Sequence, residues 1–180
     1  MPAGAVDTAR TGVVGHSFGS WNALVLAGAR EGGLVPPAGL WEPLGDARFL
    51  AVMALGPEGF DLTGPAGLAG VGVPLLLVGA GADEMNDYVP ATTELFAHLP
   101  DADLITFLGA RHLWVFVPDA QAHLRRFALA FFEVHLHGGT GWAEVLSEAF
   151  VGDVAPTLGG RNGFEGLAWG VAGAGPGGQR

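Results

Sequence analysis

The run VPLLLVGAGAD, residues 73–83, limits the fold more than any other stretch. Its leucine and branched side chains follow one another without the alternation of a half-exposed strand. Such a strand is buried on both faces, which calls for a parallel sheet with helices packed above and below it. Three more apolar runs fit this reading: TGVVG at 11–15, FLAVMAL at 49–55 and DLITFLG at 103–109. Helical stretches alternate with them. Residues 18–30 carry Trp21, Leu24, Val25 and Ala29 at helical spacing, with Gly32–Gly33 as the stop and Pro36–Pro37 barring a return. ATTELFAHL (91–99) reads as a second helix. DAQAHLRRFALAFFEVHLHG (119–138) reads as a long amphipathic one, with Asp119 as its N-cap and Gly138–Gly139 as its stop. Residues 33–48 and 56–72 read as connectors, the second rich in Gly and Pro. The expected class is α/β, a mostly parallel sheet flanked by helices.

A chain of 180 residues supports one domain with a sizeable core rather than two. That domain is expected over 1–150. From about 151 the periodicity fades, and a Gly-rich tail, expected to be disordered, runs to 180.

Charge and composition then narrow the partners. A formal charge of −10 repels nucleic acid and anionic membrane surfaces alike, and Arg125–Arg126 is the only basic pair. The absence of Cys excludes disulfides, thiolate nucleophiles and Cys-ligated metals. No apolar run reaches the roughly 18 residues of a membrane span. MPAGAVDTAR lacks the basic and apolar regions of a signal peptide, so the expected setting is soluble and cytoplasmic.

The chemistry centres on GHSFG, residues 15–19, between the first strand and the first helix. Strand, Gly-x-Ser-x-Gly and helix together form a nucleophile elbow, a turn sharp enough to project the hydroxyl of Ser17. Gly15 and Gly19 are expected because a Cβ at either would clash between strand and helix. The backbone N–H of Phe18, at the helix start, can donate to a developing oxyanion. A serine hydroxyl needs a base and an orienting acid. Asp83, at the end of the strongest strand, is the candidate acid, with Glu84 and Asp87 as competitors. His112, just past the last strand, is the candidate base. His98, His123, His135 and His137 fall on helices, and His16 is expected to point away from the serine hydroxyl. Residues 135 and 137 face different sides of a helix, so a metal site with His123 is not expected.

The order Ser17, Asp83, His112, each at a strand end, resembles the C-terminal half of an α/β-hydrolase, closest to the dienelactone-hydrolase-like and platelet-activating-factor-acetylhydrolase-like group. The matching stretches are VVGHSFGSWNALVLAGA, VPLLLVGAGADEM with VPATTELFAHLP, and LITFLGARHLWVF with ALAFFEVHLHG, covering roughly 9–138. The resemblance implies Ser17 as nucleophile, His112 as general base and then acid, Asp83 as the orienting carboxylate, and Phe18 N–H as half of the oxyanion hole. It implies cleavage of a small ester, lactone or related acyl bond through an acyl-enzyme, without metal or cofactor. Ser20 stands where a second glycine is common in that group. The family's sheet has eight strands with the elbow after the fifth. The expectation is therefore that TGVVG becomes an open apolar edge through which the chain can self-associate. The alternative is a non-catalytic truncated fragment or pseudo-enzyme that needs an N-terminal half or a partner chain. Acyl transfer to an alcohol or thiol would use the same residues.

Overall fold

Side chains on successive strand residues point to opposite faces, so an unbroken apolar strand needs a hydrophobic layer on each side. The computed structural model, which describes residues 7–30, 44–160 and 162–171, has that arrangement. Five strands, β1 (Thr11–His16), β2 (Phe49–Leu55), β3 (Leu75–Ala80), β4 (Ala102–Leu108) and β5 (Gly166–Val171), lie in the order β1-β2-β3-β4-β5. The first three pairings are parallel, and β5 runs antiparallel to β4. Every residue of β3 is buried. This is a mostly parallel α/β sheet with flanking helices.

The strands divide their side chains between two cores. Val52, Ala54, Leu75, Leu77 and Leu104 pack on one face with Leu24 of α1 (Phe18–Leu26), Leu68 of α2 (Phe60–Leu68) and Leu95 of α3 (Glu94–His98). Met53, Leu55, Leu76, Val78, Ile105 and Phe107 pack on the other. There they meet Phe127 and Phe131 of α4 (Pro118–His137) and Val151 of α5 (Glu148–Val154). Both cores draw apolar side chains from β2 and β3, which is why those strands show no alternation.

Several boundaries differ from the expectations, each for a local reason. α1 ends at Leu26, not near residue 30, because Gly28 takes φ 110 and its backbone packs against the Gly70 carbonyl. Gly32–Gly33 and Pro36–Pro37 lie outside the described residues. The 56–72 connector contains α2, whose two halves meet at Gly64 (φ 59) before Pro65; that break hides the helix from a periodicity reading. α4 starts at Pro118, with extended Val117 in the cap position. Proline has no N–H to lose at the first helical position, and it holds the preceding residue extended. Asp119 therefore sits in the first turn rather than capping it, and its carboxylate accepts from Asn162 Nδ2 at 2.8 Å. Gly138, with φ 68, ends α4 as expected.

The expectation of a disordered tail from 151 does not hold for the part described. α5 has a true N-cap, Ser147, whose Oγ accepts from Phe150 N–H. Val151, Leu158, Phe164 and Leu167 are buried against α4 and β4, and β5 closes the far side of the sheet as its fifth strand, antiparallel to β4. Short turns and Gly between these apolar residues removed the periodicity without removing the burial. Residues 172–180 lie outside the described part. Among the described residues no helix is long and apolar enough to cross a membrane.

Candidate active site

The parallel register aligns the C-terminal ends of β1 to β4: His16 pairs with Leu55, Leu55 with Val78, and Ala80 with Phe107. The loops that follow converge at this end, where functional groups gather in open α/β sheets.

After β1 the chain turns within one residue. Ser17 has φ 55 and ψ −128, in the left-handed half of backbone space that an L-residue with a Cβ avoids. Such a conformation costs on the order of 1–3 kcal/mol and survives only where its surroundings enforce it. Three contacts do so. Ser17 N–H donates to the Leu55 carbonyl at 2.9 Å, Ser20 N–H donates to the Ser17 carbonyl at 2.7 Å, and Ser20 Oγ donates to the same carbonyl at 2.6 Å. Gly15 is required as expected, since a Cβ there would overlap the Gly19 carbonyl. Gly19 is not: a Cβ at that position meets nothing within 4 Å, so the expected clash is corrected to Gly15 alone. Phe18 opens α1, and the first N–H groups of a helix have no intrahelical acceptor. Among the described residues the Ser17 hydroxyl makes no hydrogen bond, and the residue is partly exposed.

Asp83 follows β3 and His112 follows β4, and the two meet. His112 Nδ1 lies 2.9 and 3.0 Å from the two Asp83 carboxylate oxygens, with both side chains 3% exposed. Asp83 Oδ1 also accepts the N–H groups of Met85 and Asn86 at 2.9 and 2.8 Å, which fixes the carboxylate in place. An ionised carboxylate only accepts, so Nδ1 carries the proton and the lone pair of a neutral ring resides on Nε2. That is the tautomer a general base needs. Trp114, two residues on, stacks on Phe107 of β4 at 4.2 Å and ties the His112 loop to the core.

The competing carboxylates go elsewhere. Glu84 accepts the His112 backbone N–H at 3.0 Å and pairs with Arg111 at 3.2 Å. The His112 N–H, then its own backbone N–H and the arginine, hold the Glu84 carboxyl below its ordinary range. Asp87 lines a cleft of about 340 Å³ beside the Asp83 loop, together with Glu58, Phe60, Met85 and Pro90. A second cleft, about 360 Å³, lies across the His112 loop and is lined by Glu84, Arg111, Leu113, Trp114 and Phe164.

Sequence reasoning missed two residues of this cluster. His16 Nε2 reaches the His112 carbonyl at 3.1 Å, and the two rings lie 4.9 Å apart. Burial, followed by the neighbouring His112, lowers the His16 pKa, while the bond to the His112 carbonyl opposes that shift. Ser20 is wholly buried, and its hydroxyl also accepts the Glu58 N–H at 3.0 Å, linking the elbow to the loop after β2. Adjacency to the Gly-x-Ser-x-Gly motif was the available signal for both. No family model matches the chain, and no curated protein matches it. Among the described residues no group of His, Asp and Glu is arranged to hold a metal ion.

Proposed function

We propose that the chain is a serine hydrolase of the α/β-hydrolase type, cleaving an ester, lactone or related acyl bond through an acyl-enzyme. The observation that carries the reading is the strained backbone of Ser17 just past β1, at the same end of the sheet as the buried Asp83–His112 pair that follows β3 and β4. Strain of this kind concentrates at functional sites.

In this mechanism Ser17 Oγ attacks the acyl carbon while His112 Nε2 takes its proton. Asp83 stabilises the imidazolium through the Nδ1–H bond without being protonated itself. The Phe18 N–H, reinforced by the positive end of α1, donates to the oxyanion. His112 then returns the proton to the departing alkoxide, leaving the acyl group on Ser17. Water, deprotonated by His112, attacks the acyl carbon; the bond from that carbon to Ser17 Oγ then breaks, His112 returns the proton to Oγ, and the acid is released. Apart from the substrate and water, every group named belongs to the protein.

Treating the purified chain with a fluorophosphonate and assaying a short-chain nitrophenyl ester tests this. Labelling at Ser17 is expected, abolished by Ser17→Ala and slowed at least about 100-fold by His112→Ala. A folded chain that is neither labelled nor active overturns it.

One observation favours a second reading. Among the described residues β1 pairs only with β2, and Val14 on it is 50% exposed. A non-catalytic chain, completed by a partner at that edge, would fold but remain unlabelled alone.

A further inference from the structure

His112 is held at more points than an orienting carboxylate requires. Asp83 holds its Nδ1, Glu84 accepts its backbone N–H at 3.0 Å, and His16 Nε2 meets its backbone carbonyl at 3.1 Å. The two backbone contacts are unequal. Glu84 is 43% exposed on its side chain and shared with Arg111, so solvent weakens its hold. His16 is the last residue of β1, and its side chain is partly buried with the edge of Phe116 against it at 6.4 Å. A carbonyl only accepts, so His16 Nε2 carries the hydrogen. Gly56, after β2, lies against the same cluster: a Cβ there would be in ordinary contact with His16 Cδ2 and Nε2 at 3.5 Å and with Asp83 Oδ2 at 3.7 Å.

We infer that His16 is a positioning residue for His112: by donating Nε2–H to the His112 carbonyl, it fixes the loop after β4 against the residue that precedes Ser17. The inference rests on the serine-hydrolase reading. Ser17 is covalently joined to His16, so one rigid strand end sets the nucleophile and, through one hydrogen bond, the base. Without that bond the His112 loop would still be anchored by Asp83 and by Trp114 on Phe107, but its distance from Ser17 would no longer be set by β1. Displacements of about 1 Å between reacting groups cost large factors in rate while leaving substrate affinity nearly unchanged.

The test compares His16→Phe, which keeps a ring but no donor, with His16→Gln, whose amide places a donor near Nε2, and His16→Asn, whose amide is too short. Fluorophosphonate labelling rates, kcat and KM on the nitrophenyl ester, and the low-field proton resonance of His112 Nδ1–H are measured for each. His16→Phe and His16→Asn are expected to lower kcat and the labelling rate about tenfold, with KM within about twofold. They should also broaden the low-field resonance. His16→Gln is expected to recover rate and resonance to within about threefold. Wild-type behaviour of His16→Phe and His16→Asn, or a loss in His16→Gln as deep as theirs, overturns the inference. If His16→Phe does not fold, the Gln and Asn variants decide. If the wild-type chain is not labelled, the hydrolase reading fails, and the resonance alone decides whether His16 positions His112.

Discussion

A left-handed serine between a strand and a helix has to be held there, and much of the holding falls to Ser20. Its buried hydroxyl bridges the Ser17 carbonyl and the Glu58 N–H. Removing it leaves the Glu58 N–H without that acceptor and takes one of two donors from the Ser17 carbonyl. Desolvated, unpaired backbone groups cost about 1–3 kcal/mol. Ser20→Ala is therefore expected to lower unfolding free energy by about that amount in urea titration. A change below about 0.5 kcal/mol would show that the turn is held by backbone alone. Ser20 is thus a structural bridge between the turn at Ser17 and the loop after β2.

At the scale of the element, β4 carries a cost that pH exposes. Asp103 sits half-buried between β3 and β5, pairing with Leu76 and Val171. Burial, with Asp101 adding to it, raises its pKa from 3.8 to about 6. A carboxyl with a raised folded pKa is protonated more readily folded than unfolded, so its effect on stability is neutral below about pH 4. Stability then falls as pH rises toward about 6 and levels off above it. Asp103→Asn is expected to match wild type in thermal melts near pH 4 and to exceed it near pH 7.5. Partial exposure screens the effect, so the gain should not exceed about 2–4 °C. Equal melting temperatures at both pH values would mean that Asp103 is well solvated. The strand itself was legible from DLITFLG, because its apolar and β-branched residues are bounded by Asp103 and Gly109. α2 was not, because Gly64 and Pro65 break the helical period at its middle. β5 was not, because GLAWGV has two glycines and earns its place by pairing with β4 rather than by its own pattern.

Among the described residues β1 is an edge of the sheet, with apolar Val14 half-exposed on it. Unpaired strand edges template pairing with other chains, and lysine is a common natural deterrent. Self-association through residues 11–15 is expected in light scattering, and Val14→Lys should weaken it roughly tenfold or more. A net charge of −10 opposes the contact, so added salt should strengthen it by screening. A monomer at every salt and protein concentration would rule this out. Sequence by itself determined the buried strands, their parallel α/β setting, and the placement of Ser17, Asp83 and His112 just beyond strand ends. Those follow from local pattern: apolar runs, glycine punctuation and short-range geometry leave their mark on neighbouring residues. Tertiary structure alone decided which carboxylate reaches His112, that Ser20 links the turn at Ser17 to the Glu58 loop, that His16 meets the His112 carbonyl, and that Val151, Leu158, Phe164 and Leu167 belong to the core. Each of those depends on groups brought together from distant parts of the chain, and contacts of that kind leave no periodic trace in the sequence.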